Sequence, residues 1–147
     1  GGATMKSKQV LSVEQMKHLQ ELRLDTSNAT LTWVLYPASI KGDVIPTLEM
    51  WRWEQIKDEQ KKVCVPAFTL QDILDKLPKR IGKFELRIKM FVFDYVGHTE
   101  YKWSIIYEST DMMSYLDTLL QSSYTNLIEA AYNMLCMCIE NGYIKTE

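Results

Sequence analysis

The chain has 147 residues, 46% of them hydrophobic and 24% charged, with a formal net charge of −2. These proportions are typical of a globular protein and exclude an intrinsically disordered one. The small net charge excludes an overall field that would attract nucleic acid or an anionic membrane. No apolar run approaches the ~20 residues that span a bilayer, so we expect no membrane partner.

The length favours one domain, which we place at residues 5–147. Gly1 to Thr4 precede the first methionine, Met5, and we interpret them as an expression remnant outside the fold. No secretory signal is visible, and the three cysteines lack the spacing of a zinc site or a redox pair. We therefore expect a cytoplasmic protein with reduced thiols.

The first predicted elements are a helix at 12–23 and a strand. Ser12 is the expected N-cap, and Gln15, at the third helical position, completes a capping box. The run from Thr30 to Tyr36 is rich in β-branched and aromatic residues, which favours a strand ending at Pro37.

The stretch from Thr47 to Lys62 fits two structures. Residue types alternate as far as Trp53, as in a strand that returns against the first one. Thr47 is equally suited to begin a helix that continues to Lys62. We favour the strand, followed by a charged, exposed turn from Lys57 to Lys62.

A second helix is predicted at 69–77. Thr69 is its N-cap and Asp72 its third residue, which is an acidic relative of the capping box. Pro78 ends it, because proline disfavours helix in the residue before it.

The strongest strand pattern is a hairpin of Phe84–Tyr95 and Glu100–Glu108. A type II′ turn with Gly97 and His98 as its central residues would join the strands. This register makes one face entirely apolar and places opposite charges on the other. Its pairs are Val92 with Trp103, Met90 with Ile105, Ile88 with Tyr107, and Arg87 with Glu108.

The last third of the chain contains one open segment and one clear helix. Apolar residues in 109–121 fit a third strand, a short helix or a covering loop. A helix is predicted at 123–141, capped by Ser122 or Ser123 and stopped at Gly142. Its apolar stripe excludes Cys136 and consists of Tyr124, Leu127, Ile128, Ala131, Met134, Leu135, Cys138 and Ile139.

Two strings carry a resemblance to other proteins. They are PAFTLQDILDKLP at 66–78 and LIEAAYNMLC at 127–136, the latter followed by IENGY at 139–143. Together with the first helix they resemble a group of small uncharacterised proteins from phages and mobile elements of gut Bacteroides-type bacteria. The resemblance implies a bacterial, cytoplasmic, mobile-element origin. It implies no chemistry, because the matching residues are helix caps and helix stripes.

The sequence shows no pattern of an active site. His18 and His98 are the two histidines, and neither belongs to a metal-ligand spacing. There is no glycine-rich phosphate loop and no nucleophile elbow. The acidic pair Asp72 and Asp75 is explained by helix capping and a solvated helix face. We expect no metal and no cofactor, and an enzyme is the least favoured class.

A basic cluster supports the main alternative, which is binding of single-stranded nucleic acid. Cations run from the end of the second helix into the hairpin, beside aromatic residues that bases can stack on. The simpler interpretation is a helix C-terminus with favourable cations and a solvated strand face. The residues of this basic strip are Lys79, Arg80, Lys83, Arg87 and Lys89.

The favoured function is a non-enzymatic interaction module of a phage or mobile element that binds a protein partner or itself. We expect an α+β fold with a small, mostly antiparallel sheet and about three helices packed largely on one face. The second face of that sheet is the predicted partner surface if it is open, and part of the core if a helix covers it. Its proposed residues are Trp51, Trp53, Phe91 and Phe93.

Overall fold

The structure is a computed structural model that describes residues 8–37, 42–110 and 116–147. The fold is α+β, as predicted, and the strands of the described residues form two antiparallel sheets. The elements are α1 (Val13–Glu21), β1 (Leu31–Pro37), β2 (Val44–Glu49), α2 (Asp58–Lys61), β3 (Cys64–Ala67), α3 (Leu70–Lys76), β4 (Arg80–Ile81), β5 (Phe84–Tyr95), β6 (His98–Thr110), β7 (Leu116–Tyr124) and α4 (Leu127–Glu140).

The chain divides into two compact units. Among the described residues, the first unit comprises 9–72 and 145–147, and the second comprises 73–144 with Lys8. The division falls inside α3, so each unit is described by itself. The single domain at 5–147 stays a prediction.

The first unit is built on a three-stranded sheet in the order β2-β1-β3. α1 lies against β3 and buries Val13, Met16 and Leu19. The predicted capping box is confirmed: Ser12 Oγ accepts from the Gln15 N–H at 3.1 Å, and Gln15 Oε1 accepts from the Ser12 N–H at 3.0 Å. The local sequence therefore determines where this helix begins.

The strand predicted after Thr47 is only partly correct. β2 pairs antiparallel with β1, as expected, but it begins at Val44 and ends at Glu49. The chain then enters a short 3-10 turn, Trp53–Gln55, and the helix α2 replaces the predicted turn. The other side of β1 is occupied by β3, which the sequence analysis missed because Pro66 interrupts its apolar run.

The predicted cap of the second helix is confirmed. Thr69 Oγ1 accepts from the Asp72 N–H at 3.1 Å, and Asp72 Oδ2 accepts from the Thr69 N–H at 3.0 Å. The same carboxylate accepts from Thr30, from its N–H at 3.0 Å and its hydroxyl at 2.6 Å. Asp72, which is 5% exposed, thus joins the start of β1 to the start of α3.

The second unit has a four-stranded sheet in the order β4-β5-β6-β7, and α4 lies on β6 and β7. Ile105 and Tyr107 are fully buried. The hydroxyl of Ser122, on β7, donates to the Ala130 carbonyl of α4 at 2.8 Å and accepts from Asn133 Nδ2 at 3.1 Å. Helix and sheet are therefore joined by polar bonds as well as by apolar packing.

The predicted start of the last helix was wrong. α4 begins after Asn126, whose side chain accepts from the Ile128 N–H at 3.0 Å. Ser123 and Tyr124 instead pair with β6, because the ladder satisfies their backbone groups better than a longer helix would. The predicted stop is confirmed, since Gly142 has φ +77°.

The exclusion of Cys136 from the buried stripe was also wrong. α4 buries a wider sector than the stripe predicted, and Cys136 is 8% exposed while Cys138 is fully buried. The three cysteines are free thiols, and Cys64 is half-buried. For the segment 109–121, which the sequence left as a strand, a helix or a loop, the strand is correct from Leu116 on, where β7 begins. Residues 111–115 lie outside the described residues.

The predicted hairpin forms, but with a different turn and register. Tyr95 pairs with His98, so Val96 and Gly97 are the central turn residues. Gly97 has φ +91° at the second central position, as in a type II turn rather than type II′. The observed pairs are Val92 with Tyr101, Met90 with Trp103, Ile88 with Ile105, and Arg87 with Ile106. Because the shift is two residues, each side chain keeps its predicted face.

Candidate functional site

The candidate site is the outer part of the β5–β6 hairpin, which we call the arm and define as residues 88–102. β7 pairs with β6 only as far out as Trp103. Beyond that pair the sheet narrows to a two-stranded ribbon that ends at the turn of Val96 and Gly97. Residues 91–102 of the arm therefore extend the sheet of the second unit beyond the end of β7.

Both faces of the arm carry exposed apolar side chains. The even face has Ile88, Met90 and Val92 of β5 with Tyr101 of β6, and the odd face has Phe91, Phe93 and Tyr95. These seven side chains retain between 38% and 55% of their exposure. Exposed apolar patches occur at protein interaction sites, in ligand-binding grooves and on aggregation-prone surfaces.

The length of β5 explains why the arm is open. β5 has 12 residues and spans ~40 Å at ~3.3 Å per residue. α4 has 14 residues and is ~21 Å long at 1.5 Å per residue. The helix lies over the base of the sheet, where Ile105 and Tyr107 are buried, and it is too short to cover the even face out to the turn.

The four predicted aromatic residues belong to two different units. Phe91 and Phe93 lie together on the odd face, 38% and 41% exposed. Trp51 and Trp53 belong to the first unit and follow β2 instead of continuing it, so the prediction that they share a strand face was wrong. The chain turns after Glu49, where the Trp51 carbonyl accepts from the Thr32 hydroxyl at 2.7 Å.

Each tryptophan has its own surroundings in the first unit. Trp53 is half-buried, donates its backbone N–H to the Ala29 carbonyl at 3.1 Å, and has the Lys61 ammonium 5.3 Å from its ring centre. Trp51 is half-exposed and lines a shallow open depression with Gln55 and Ile56. Local packing therefore accounts for Trp53, and Trp51 contributes one exposed ring.

The even face was not among the predicted partner residues. Its regular apolar pairing is buried at Ile105 and Tyr107 and exposed farther out. A signal was available, because the predicted strand Phe84–Tyr95 is much longer than the surface that any predicted helix can cover. Tyr95 was missed as well; its ring stacks on His98 with centres 5.0 Å apart.

The residues of the basic strip lie on the second unit, and most of them are neutralised. Glu85 binds both Arg80, at 2.8 Å, and Arg87. The Arg87 guanidinium, followed by that of Arg80, holds the pKa of the Glu85 carboxyl below its usual range. The remaining ion pairs are Lys83 with Asp117 at 3.4 Å and Lys89 with Glu108.

The ion pairs make the cations of the basic strip less available to the phosphate groups of a nucleic acid. Four of its five cations have carboxylate partners in the same sheet, and Lys79 is bound through its backbone, its carbonyl accepting from the Leu86 N–H at 3.0 Å. A phosphate backbone would have to displace these carboxylates. The carboxylates of Glu85, Glu108 and Asp117 thus offset part of the positive charge of the five cations.

The described residues offer little for catalysis. Among them, no three His, Cys, Asp or Glu side chains converge as metal ligands. Burial raises the pKa of the Cys138 thiol to about 11, and burial also raises the pKa of Cys136. Such thiols are protonated at neutral pH and are poor nucleophiles. His98 lies beside Glu100 at 3.4 Å on the exposed arm.

Comparisons of the chain with models of protein families, with curated proteins and with solved structures found no match. Within the described residues, no helix has the length and apolar composition needed to cross a membrane. The geometry of the arm is therefore the basis for a functional conclusion.

Proposed function

We propose that this protein is a non-enzymatic interaction module that binds another protein, or a second copy of itself, through the arm. The observation that carries the proposal is the exposure of seven large apolar side chains on the two faces of one hairpin. Each Å² of apolar surface left in water is unfavourable by roughly 25 cal/mol, so a partner that covers these side chains would be bound favourably. Phe93, Tyr95 and Tyr101 are of the type that dominates the energy of protein interfaces.

The proposed setting is a bacterial cytoplasm and a phage or mobile element. Its support is the resemblance of the strings at 66–78 and 127–136. The three free thiols are consistent with a reducing compartment.

An affinity-capture experiment tests the proposal. A tagged chain is expressed together with an untagged copy, and the retained proteins are quantified for wild type, for the arm variant Phe91→Ser/Phe93→Ser, and for a control. The control is Met50→Ser/Val63→Ser, which removes two exposed apolar side chains of the first unit. Circular dichroism verifies that each variant is folded.

We expect the arm variant to lose proteins that the wild type and the control both retain. The lost proteins include the untagged copy if the chain binds itself. Equal retention by the arm variant and the wild type would reject the arm as the interaction site.

Nucleic acid remains the competing class of partner, and the ion pairs of Glu85 and Glu108 weigh against it. Arg80→Glu/Arg87→Glu separates the two. We expect wild type and this variant to show the same weak, salt-sensitive response to short single-stranded DNA and RNA in fluorescence anisotropy. Tight binding by the wild type that the variant abolishes would favour the nucleic-acid alternative.

A further inference from the structure

We propose that the occupant of the arm is a second copy of this chain, which pairs with it edge to edge along β5. The inference rests on the proposed function and identifies its partner and binding mode. The two copies would form a symmetric dimer in which the β5 strands are antiparallel neighbours in one continuous sheet.

The outer edge of β5 is open along the arm. β4 covers this edge only at Phe84 and Glu85. The Leu86 N–H then donates outward to the Lys79 carbonyl at 3.0 Å. From Ile88 to Tyr95, none of the described residues forms a strand beside this edge.

The position of Leu86 determines which backbone groups point out. In an antiparallel ladder, alternate residues face alternate neighbours. Because Leu86 faces outward, so do the N–H and C=O groups of Ile88, Met90, Val92 and Asp94. The odd residues pair with β6, in agreement with the Tyr95–His98 pair beside the two-residue turn.

Such an edge is a template for another strand. Proteins usually protect an open edge with a bulge, a proline, a short strand or charged side chains, and of these devices the open part of β5 has the charges of Lys89 and Asp94. β5 pairs with β6 in continuous register from Glu85 to Tyr95, and its open part contains no proline. The outward residues Ile88, Met90 and Val92 also carry the exposed apolar side chains of the even face. Backbone and side chains therefore present one apolar, hydrogen-bonding surface.

The residue order of β5 favours its own copy as the partner. Phe91 is the midpoint of the four outward residues. If two copies pair antiparallel along the whole open edge, the two-fold axis of the dimer therefore passes beside Phe91. Met90 then lies opposite Val92 of the second copy, and both are apolar. Ile88 lies opposite Asp94 at the end of the ladder, where the carboxylate reaches water.

The odd face is self-complementary under the same axis. Its first half is basic, with Arg87 and Lys89, and its second half is aromatic. Antiparallel pairing places Lys89 opposite Phe93 of the second copy and Arg87 opposite Tyr95. Lys89 keeps its ion pair with Glu108 and Arg87 keeps its ion pair with Glu85, while each side chain packs beside the aromatic ring of the second copy, and each contact occurs twice. The symmetric dimer also closes, so neither β5 edge is left open.

Disulfide trapping tests the register of this dimer. Phe91→Cys and Phe93→Cys are made in a Cys64→Ser background, which removes the half-buried native thiol. Across the axis, Phe91 faces its own counterpart in a pair without hydrogen bonds, where the Cα atoms are close enough for a disulfide. Phe93 faces Lys89, so two cysteines at position 93 lie far apart. The two phenylalanines are similarly exposed, at 38% and 41%, which makes the variants a matched pair.

We expect the Phe91→Cys chain to form disulfide-linked dimer at least ~10-fold faster than the Phe93→Cys chain, because only the first pair has disulfide geometry. The background protein should have a solution mass that rises with concentration from 17.2 kDa toward twice that value. Equal trapping by both variants, or a mass that stays at one chain throughout, would overturn the second-copy proposal.

The affinity-capture experiment distinguishes failure of the second-copy proposal from failure of the proposed function. A monomeric chain whose arm variant still loses other proteins would reject the second copy and keep the arm as an interaction site. A monomeric chain whose arm variant loses nothing would reject both.

Discussion

Asp72 shows how a single buried carboxylate can organise local structure. It caps α3 and also binds both donors of Thr30, so its removal affects two elements. We predict that Asp72→Ala lowers the free energy of unfolding by ~2–4 kcal/mol, since it removes a cap and leaves three partly buried donors of Thr30 and Thr69 without their acceptor. Ser12→Ala, which removes a simple cap, should cost only ~1 kcal/mol. Urea unfolding measures both; equal losses would contradict the double role of Asp72.

The raised pKa of the Cys138 thiol leads us to expect that the folded chain loses stability at alkaline pH. Burial raises the pKa of its thiol to about 11 in the folded chain, whereas an unfolded cysteine has a pKa of ~8.5. Between these values the folded chain holds a proton that the unfolded chain releases, so stability is full below pH ~8.5 and falls as the pH rises toward 11. Burial also raises the pKa of Tyr107, which adds to the loss above pH ~10.

We predict that the free energy of unfolding falls on the order of 2 kcal/mol more between pH 8 and pH 10.5 than it would without this thiol. Cys138→Ala should therefore be less stable at pH 8 because of the cavity, yet show a shallower alkaline decline. Urea titrations at both pH values measure the two slopes. Parallel declines in wild type and variant would show that Cys138 is not responsible.

The hairpin register gives a sharp prediction for the β5–β6 pair. Val92 and Tyr101 are directly opposite in a pair without hydrogen bonds, which suits a disulfide. We predict that Val92→Cys/Tyr101→Cys closes an intramolecular disulfide, whereas Val92→Cys/Trp103→Cys, the register expected from the sequence, does not. Mass spectrometry after alkylation, in a Cys64→Ser background, measures closure. Preferential closure of the second pair would show that the hairpin has the register of a type II′ turn at Gly97 and His98.

The elements that could be predicted from the sequence depend on local chemistry. The caps at Ser12 and Thr69 and the stop at Gly142 involve groups within a few residues of one another, and all three are present. Alternation placed each side chain of the hairpin on the correct face. A two-residue change of register preserves the faces, which is why pattern alone could not determine the turn.

The elements that could not be predicted depend on distant partners. Tyr124 fits a helix stripe by spacing, yet it pairs with Trp103 across the β6–β7 ladder. β3 owes its strand structure to β1, and its own sequence contains Pro66. At the site, alternation placed Phe91 and Phe93 on one face, whereas only the length of the predicted strand Phe84–Tyr95 indicated that the even face is open, because its exposure depends on where α4 ends.

At the scale of the whole molecule, the arm is the feature that packing within the described residues does not explain. A long, two-sided apolar hairpin with an open strand edge is a hazard in a chain that acts alone, since it invites uncontrolled strand pairing. A closed dimer removes the hazard by pairing the edge once. Pairing of two copies along β5 would explain the length of this strand, its two apolar faces and the order of charges on its odd face.

Sedimentation equilibrium of wild type, Met90→Glu, Val92→Lys and the double variant Met90→Glu/Val92→Lys tests whether two copies pair along β5. In the proposed dimer, position 90 lies opposite position 92 of the second copy. Each single variant should weaken dimerisation ~10-fold or more, as loss of ~1.4 kcal/mol requires, and the double variant should recover affinity through two new ion pairs. A wild-type mass of 17.2 kDa at every concentration, or a double variant weaker than both single variants, would contradict the account.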